Sequence, residues 1–382
     1  MRAAEDIPNH QAIVREAGRV GLRLRHSQPP APGELVVATQ VAGLCGTDIQ
    51  MLRGLRDDPS PVIGHEGIAH VVAVGAGVPG SLRPGTAVVI NPTHRSDSSF
   101  LLGHNVDGLL QERTCIPATA VRAGLVVPLD RPPEAVLGTL IEPLAAVRYS
   151  LGLLATGSPR TLVVYGDGTI GQLAVRAARR WFKGEVRVLL VHHTREGLEW
   201  STRHPPEGTE LLLGGDHAEL PPLDEGPVAA LLATPRDGTR NALESALRLG
   251  KGELTIDMFG GLPPDAATPL LPGVDLTAVR AANCAGHPVP AAFAEVRTAE
   301  GRSVRLTGHR GVGNEHLTAA AAELRRDPAL YHDLVTHVVG PREAVQIMNG
   351  LSVSRRRTVA GTRLIKLAVR FAPVPPSSRE SQ

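Results

Sequence analysis

The 382-residue chain has few cysteines, few aromatic residues and no excess of charge of either sign. Its three cysteines are odd in number and far apart, which excludes a disulfide framework and fits a reducing compartment. Aromatic residues make up 3% of the chain and the formal net charge is +2. These values exclude a base-stacking surface and a strong field that would attract nucleic acid or an anionic membrane.

Long apolar runs are also missing. No segment of the sequence approaches the length of a membrane span, and residues 1–18 contain no apolar core of a signal peptide. We therefore expect a cytoplasmic protein without a membrane or nucleic-acid partner. Glycine and proline are abundant instead, at 41 and 32 residues, and predict the many tight turns of a β-rich part.

The length of the chain predicts two domains, or three, at about 150 residues per domain. Short valine-rich runs at 34–44, 68–77 and 86–92 are broken by glycine and proline, which is typical of strands. From about residue 145 onward, apolar strands and helical patterns alternate, as in a parallel sheet covered by helices.

The sequence therefore predicts an α/β fold in which a doubly wound, parallel-sheet domain is inserted into a β-rich one. The inserted domain is expected at 149–307, and the β-rich domain is expected to combine 1–148 with 308–382.

The stretch "YGDGTIG" matches the G-x-G-x-x-G pattern with Gly166, Gly168 and Gly171. It follows a predicted strand and opens a predicted helix, which is the context that this dinucleotide-binding motif needs. Gly166 would make the tight turn, Gly168 would let the backbone approach a pyrophosphate, and Gly171 would let helix and strand pack closely. The alternative is a strand-to-helix turn with incidental glycines. The residues predicted to bind the cofactor here are Gly166, Gly168, Thr169, Ile170 and Gly171.

The end of the next strand predicts which nicotinamide cofactor is bound. An acidic residue usually stands there and binds the ribose hydroxyls, but this chain has His192, and Arg195 follows closely. The missing carboxylate and the nearby arginine tolerate a 2′-phosphate, which slightly favours NADP over NAD. If both residues are instead solvated loop positions, NAD remains the cofactor. His192 and Arg195 complete the predicted cofactor-binding set.

Three further residues are of types that bind zinc. Cys45 lies in a glycine-framed turn, "GLCGTD", and alone would be interpreted as a small buried thiol. His65, in "GHEG", would alone be a hydrogen-bonded structural residue. Glu142 lies in an apolar run, where a carboxylate is costly unless it is paired or bound to a metal. For Glu142 the alternative is a carboxylate at a helix N-terminus, stabilised by the helix dipole.

Taken together and in order, "GLCGTD", "GHEG", "EPLA" and "GDGTIG" resemble the zinc-dependent medium-chain alcohol and polyol dehydrogenases, which include sorbitol dehydrogenase. The resemblance covers nearly the whole chain, as far as "LVTHVVGPREAVQIM". It implies a GroES-like catalytic domain with an inserted Rossmann domain, an active site in the cleft between them, NAD or NADP, and a homodimer or homotetramer.

Position by position, the resemblance implies Cys45, His65 and Glu142 as zinc ligands, with glutamate at the third position as in the polyol dehydrogenases. Glu66 matches a residue that can approach the metal in this family, and we include it among the candidate ligands. Thr47 matches the hydroxyl that passes the alcohol proton outward.

The chain also departs from the family. Gln50 replaces the usual histidine of the proton relay, and Asp48 is expected to be structural. The stretch that carries four structural-zinc cysteines in many members has none here, so one catalytic zinc and no structural zinc are expected. Residues 281–303 form a longer stretch than the family norm, without an assigned role. Four histidines are cleft candidates that we expect to be mostly solvated: His94, His104, His287 and His309.

The function that follows is a zinc-dependent oxidoreductase that transfers hydride between a small-molecule secondary alcohol, or its ketone, and NAD(P). A polyol, cyclitol or sugar-like alcohol is the expected substrate class. Two alternatives remain open: a zinc-free quinone or enone reductase of the same fold, and a non-catalytic nucleotide-sensing relative.

Overall fold

The computed structural model describes residues 9–16, 18–182, 186–214, 221–223 and 225–371. Residues 1–8 and 17 of the segment considered above as a signal peptide therefore lie outside the described part. The chain divides into two compact units. The first unit combines Met1–Glu142 with Leu317–Gln382, and the second unit is Pro143–His316. The domain boundaries predicted at 149 and 307 stay predictions.

The strands of the described residues are β1 (His10–Glu16), β2 (Arg19–Arg25), β3 (Leu35–Leu44), β4 (Glu66–Val74), β5 (Ala87–Ile90), β6 (Arg113–Ile116), β7 (Val126–Pro128), β8 (Thr161–Tyr165), β9 (Arg187–His192), β10 (Thr209–Leu213), β11 (Val228–Leu232), β12 (Leu254–Asp257), β13 (Asn283–Cys284), β14 (Ala294–Arg297), β15 (Ser303–Thr307), β16 (His309–Arg310), β17 (His337–Val339), β18 (Thr358–Val359), β19 (Thr362–Arg363) and β20 (Leu367–Arg370).

The α-helices are α1 (Gly46–Leu52), α2 (Ala118–Arg122), α3 (Ile141–Ala155), α4 (Thr169–Ala177), α5 (Arg195–Arg203), α6 (Thr239–Leu247), α7 (Leu276–Ala281), α8 (Asn314–Arg326) and α9 (Pro341–Val353). Short 3-10 helices lie at Ala135–Leu140, Ala178–Arg180, Pro328–Leu330 and His332–Leu334.

The first unit is built around a sheet in the order β17-β20-β3-β4-β5-β7, and β6 also pairs with β3. The central strand β3 is buried along almost its whole length and pairs with strands on both sides. The 3-10 helix Ala135–Leu140 packs on β3 and β4. This arrangement brings the end of β3, the start of β4 and the beginning of α3 close together.

The second unit contains a sheet in the order β10-β9-β8-β11-β12-β15-β14. All its neighbouring strands are parallel except β14, which is the antiparallel edge strand. β8 and β11 are fully buried apolar runs, as parallel strands covered on both faces require. β9 lies on one side of β8 and β11 on the other, so the strand order reverses beside β8, where such sheets bind their ligands. The predicted doubly wound sheet is confirmed.

One helical stretch is long and apolar enough to span a membrane, although no such segment was expected from the sequence. By length and composition alone Ala135–Ala155 is sufficient to cross a membrane. However, 78% of its most apolar window is buried inside the protein, as in the core helix of a globular protein. It is therefore weak evidence for a membrane span.

Candidate active site

Cys45 lies in the turn between β3 and α1 and caps the helix. Its backbone is extended, at φ −96° and ψ 172°, and its sulfur accepts a hydrogen bond from the Asp48 backbone N–H at 3.3 Å. The Asp48 carboxylate in turn accepts from the Cys45 backbone N–H at 2.9 Å. This reciprocal capping box stabilises the turn and fixes the position of the sulfur. Thr47 and Gln50 are half-buried residues of the same short helix.

His65 and Glu66 lie where β4 begins. Gly64 precedes them at φ +94°, a left-handed conformation that favours glycine. Glu66 pairs with Gly43 across the antiparallel strands β3 and β4, two residues before Cys45. The sheet register therefore brings residues about twenty positions apart in sequence to the same edge.

Lys366 forms a buried ion pair with Glu66. The lysine side chain is 0% exposed, and its ammonium group also donates a hydrogen bond to the Leu44 carbonyl at 3.4 Å. Gly43 makes room for it, because a Cβ at this position would come within 2.6 Å of the Lys366 Cε. Lys366 was not among the residues predicted from the sequence. Its signal, a lone lysine in the apolar run that precedes β20, is weak, and Glu66 is 300 residues away.

Glu142 enters the same region from the first turn of α3, which continues directly from the 3-10 helix Ala135–Leu140. Gly138 lies against Ile68 of β4, where a Cβ would come within 2.5 Å of the isoleucine Cδ1. The absence of a side chain at Gly138 lets the helical segment approach the sheet closely.

Two overlapping groups of possible metal ligands meet here among the described residues: Cys45, Asp48 and His65, and His65, Glu66 and Glu142. Within each group the ligand atoms lie within 4.8 Å of one another. The fold therefore brings together all four sequence-predicted ligand candidates. It adds Asp48, to which the sequence analysis assigned a structural role.

Two buried atoms of this cluster have no hydrogen-bond partner among the described residues, His65 Nδ1 and Asp48 Oδ1. A buried polar atom without a partner is costly and needs an explanation. A cation bound by the imidazole, or a hydrogen bond formed once the ring is oriented by a metal, provides one.

The pKa values of the cluster also favour a bound cation. Burial raises the pKa of the Cys45 thiol well above its usual value, and the carboxylates of Asp48 and Glu66 raise it further. Burial also raises the pKa of Glu142 to about 7; His65 opposes this rise and Glu66 adds to it. The Cys45 thiol and the Glu142 carboxyl therefore hold their protons more tightly than they would in water. A divalent cation would displace those protons, and the thiolate, imidazole and carboxylate donors suit zinc.

The expectation that the four singled-out histidines are mostly solvated is wrong for two of them. His104 is 5% exposed and its ring lies against that of His65, with centroids 5.2 Å apart. His309 is buried in the second unit and hydrogen-bonds Ser150 at 3.0 Å. His94 and His287 are half-buried. Each buried ring hydrogen-bonds a side chain in place of water, Asp58 for His104 and Ser150 for His309. These partners are 46 and 159 residues away in sequence, so the sequence alone could not indicate them.

The glycine turn of the second unit has the predicted strand-to-helix setting. Gly166 follows β8 at φ +103°, and its N–H donates to the Val191 carbonyl of β9 at 3.0 Å. Gly168 is the N-cap residue of α4, and Thr169 and Ile170 form the half-buried first turn of that helix. The N–H groups of a helix N-terminus form a site suited to phosphate.

We expect Gly171→Ala to destabilise the second unit, although alanine normally favours a helix over glycine. A Cβ at Gly171 would overlap the Gly166 carbonyl oxygen, so the turn must move. Such overpacking costs about 1–3 kcal/mol, measured as the free energy of unfolding in urea.

Gly350→Ala is the matched control for this prediction. Gly350 lies inside α9, and nothing lies within 4 Å of a Cβ at that position. The substitution should stabilise the protein by up to about 1 kcal/mol. Equal effects of the two alanine substitutions would contradict the close approach at Gly171.

His192 ends β9 as predicted, but its side chain does not face a ligand. The ring is 0% exposed, with Nε2 2.8 Å from the Ser201 hydroxyl and Nδ1 3.0 Å from the Leu212 carbonyl. The Ser201 hydroxyl also accepts from the Gln172 side-chain amide at 2.7 Å, and Oε1 of Gln172 accepts from the Arg176 guanidinium at 2.6 Å. The prediction that His192 stands at the ribose is corrected, because this buried network holds the ring in the core.

Arg195, by contrast, is exposed in the first turn of α5. Thr194 caps this helix by accepting from the Gly197 N–H at 3.1 Å. Of the two residues predicted at the ribose, only Arg195 remains accessible to a ligand. The exposed neighbour His193 was not in the predicted set.

Comparison with known proteins shows which proteins this chain resembles. Residues 31–126 match the alcohol dehydrogenase GroES-like domain. The chain is 27% identical over 176 residues to an uncharacterised zinc-type alcohol dehydrogenase-like protein of Haemophilus influenzae, covering 41% of this chain and 48% of that one. It is 30% identical over 182 residues to glucose 1-dehydrogenase of Thermoproteus tenax, covering 41% and 51%. The chain thus spans about half the length of the curated relatives it matches.

The fold agrees with this result over nearly the whole chain. A candidate zinc-binding dehydrogenase of Sinorhizobium meliloti, solved with NADP, superposes with a TM-score of 0.69 at 20% identity. The superposition covers 96% of this chain and 100% of that one. The resemblance carried by the sequence motifs is confirmed: the chain contains an alcohol dehydrogenase GroES-like domain and is similar to zinc-type alcohol dehydrogenase-like proteins.

Proposed function

We propose that this chain is a zinc-dependent oxidoreductase that transfers hydride between a secondary alcohol and NAD(P). The observation that carries the proposal is the convergence of a thiol, an imidazole and two carboxylates, with a buried, unpartnered imidazole nitrogen among them. The relative named as zinc-type and the neighbour solved with NADP support it.

Cys45, His65 and Glu142 would hold the zinc, and Glu66 is the alternative third protein ligand. A zinc ion bound there supplies a Lewis acid that lowers the pKa of the alcohol. Lys366 neutralises Glu66 through their buried ion pair and so favours Glu142 as the carboxylate left for the metal. Thr47, two residues after Cys45, would take the hydroxyl proton and pass it outward.

The glycine turn of the second unit would bind the cofactor pyrophosphate. Gly166, Gly168 and Gly171 let the backbone approach it, and the first turn of α4, with Thr169 and Ile170, offers its N–H groups. A nicotinamide cofactor bound in this way supplies the hydride acceptor.

Secondary polyols, cyclitols or sugar-like alcohols and their ketones are the proposed substrates. A cytoplasmic location, a homodimer or homotetramer, and a single catalytic zinc without a structural one remain predictions of the sequence.

Metal analysis of the purified protein, combined with assays in both cofactors, tests the proposal. We expect about one zinc per chain and zinc-dependent oxidation of secondary alcohols. A zinc-free protein that reduces enones or quinones would support the zinc-free reductase instead. A protein that binds the nucleotide but turns over neither substrate class would support the sensing alternative.

Arg195 should favour NADP, because β9 ends in His192 and not in a carboxylate. A charge-assisted contact with a 2′-phosphate contributes about 1.5–3 kcal/mol, or about one to two decades in affinity. We expect Arg195→Ala to weaken binding of 2′,5′-ADP by that factor in calorimetry and to leave 5′-AMP unaffected.

His193→Ala, two residues away and also exposed, is the control, and it should change the two affinities little. If Arg195→Ala left the affinity for 2′,5′-ADP unaltered, the arginine would not contact the phosphate and the preference for NADP would lose its basis.

A further inference from the structure

A buried carboxylate without a hydrogen-bond donor lies in the core of the second unit. Asp257 is the last residue of β12 and is 0% exposed, and neither of its side-chain oxygens has a hydrogen-bond partner among the described residues. A buried carboxylate normally accepts hydrogen bonds, because its charge is costly away from water. Asp257 belongs neither to the candidate zinc site nor to the glycine turn, so its burial needs a separate explanation.

The Ser150 hydroxyl of α3 acts on Asp257, but its hydrogen is used elsewhere. Ser150 lowers the pKa of Asp257, yet its hydrogen bond, at 3.0 Å, is to His309 Nε2. His309 Nδ1 lies 3.4 Å from the Gly311 carbonyl, which only accepts, so Nδ1 carries the ring hydrogen. Burial, and after it the charge of Arg280, lowers the pKa of His309 to about 3. The ring is therefore neutral, and Nε2 accepts the single hydrogen of Ser150.

The other polar groups around Asp257 do not supply a donor. Burial and then the charge of Asp257 raise the pKa of Tyr149 on α3, but the buried Tyr149 hydroxyl forms no hydrogen bond with the carboxylate. Thr307, which pairs with Asp257 across β15, donates to the Ala292 carbonyl at 3.0 Å. Arg280 of α7 lowers the pKa of Asp257 by its charge and donates to two carbonyls of the loop after β12. Two further titratable groups act on Tyr149 and His309 from the first turn of α8, Glu315 and His316.

We propose that Asp257, Ser150 and His309 form a proton-operated switch in the second unit. When Asp257 holds a proton, it donates to Ser150, Ser150 donates to His309 Nε2, and the Nδ1–H group donates to the Gly311 carbonyl. When Asp257 releases that proton to water, the carboxylate accepts from Ser150, and Ser150 can then accept only from an Nε2–H group. The ring keeps one hydrogen, which moves from Nδ1 to Nε2 by exchange with water.

The arrangement in this structure is that of the protonated form, because the bond to the Gly311 carbonyl needs the hydrogen on Nδ1. Burial raises the pKa of Asp257 to about 6, so a change of pH around that value converts one form into the other. Gly311 lies in the connection between β16 and α8, and α8 leads the chain back to the first unit. Ionisation of Asp257 should therefore release this connection from His309.

The test is the position of the His309 ring hydrogen, read from the ¹⁵N chemical shifts of histidine-labelled protein between about pH 5 and about pH 8. The spectrum of His309→Gln identifies the signals. In the wild type we expect the hydrogen on Nδ1 at the lower pH and on Nε2 at the higher pH, with a midpoint of about 6 and without an imidazolium. In Asp257→Asn the side-chain amide donates to Ser150 without ionising, so Nδ1 should keep the hydrogen throughout.

The switch also predicts how stability depends on pH. The pKa of Asp257 is raised in the folded protein, so its proton stabilises the fold at low pH, and this contribution is lost as the pH rises through about 6. Relative to Asp257→Asn, the unfolding equilibrium constant of the wild type should rise roughly 10- to 100-fold between about pH 4 and about pH 8, measured in urea. A ratio of the two constants that stays the same over this range would contradict the switch.

Ser150→Ala removes the hydroxyl between the other two groups, so Nδ1 should keep the hydrogen at every pH, and this variant replaces Asp257→Asn if the latter does not fold. Asp275→Asn is the control, because Asp275 is an exposed N-cap residue of α7 that accepts from the Ala278 N–H at 2.9 Å. It should change tautomer as the wild type does. The inference is overturned if the wild-type tautomer is the same at both ends of the pH range, or if a change persists in Asp257→Asn or Ser150→Ala.

Discussion

Replacing Cys45 or Glu142 by alanine should remove zinc and lower kcat/KM by at least about 10³-fold, while the fold persists. A bound Lewis acid contributes several kcal/mol of transition-state stabilisation, and each 1.36 kcal/mol is a factor of ten. The fold should persist because each substitution removes a buried acidic group from a cluster that already contains others. Zinc per chain, kcat/KM and circular dichroism of the same preparations are the measurements.

Cys115→Ala is the control for the thiol. Cys115 is an exposed cysteine on β6, so its loss should leave zinc and turnover at the wild-type level. Glu66→Gln separates the two carboxylates, since it should retain zinc if Glu142 is the third ligand. Full zinc and full turnover in Glu142→Ala would show that the assignment is wrong and would make Glu66 the third protein ligand.

A large loss of stability, measured as the free energy of unfolding, is expected for Lys366→Met. This substitution leaves the Glu66 carboxylate, 4% exposed, without its cationic partner in a buried place. Breaking a buried ion pair from one side costs about 3–5 kcal/mol, which urea unfolding of the metal-free protein measures. The double variant Glu66→Gln with Lys366→Met should recover most of this loss, because it removes the unpaired charge.

An exposed ion pair provides the comparison for Lys366. Arg23 and Glu16 lie 3.2 Å apart with side chains more than half exposed, so Arg23→Met should cost less than about 1 kcal/mol. If Lys366→Met proved as mild as Arg23→Met, Glu66 would have another way to lose its charge, and the ion pair would not stabilise the site.

The parts of the site that depend on neighbours in sequence were predictable. Gly166 and Gly171 lie five residues apart, and the close approach between them needs only a strand, a turn and a helix in succession. Similarly, Cys45 and Asp48 belong to one turn of chain. In both cases the backbone conformation that the residues require is local, so the pattern of residue types is enough to indicate it.

The side-chain direction of His192 could not be predicted from its neighbours in sequence. Its position at the end of β9 was predictable from the apolar run, but the direction of the side chain was not. That direction depends on Ser201, nine residues later on α5, and on the Leu212 carbonyl of β10, twenty residues away. A buried polar side chain turns to wherever hydrogen-bond partners lie, and only the packed sheet and helix define them.

The sequence by itself determined the two kinds of sheet, the strand-to-helix glycine turn and the types of side chain that can bind zinc, because periodicity and residue chemistry are properties of the chain. Only the tertiary structure decided that Lys366 neutralises Glu66 from 300 residues away and that His104 lies against His65. Pairings of this kind arise when strands and loops distant in sequence pack together, and the burial that results makes an unpaired charge or an unpartnered nitrogen costly.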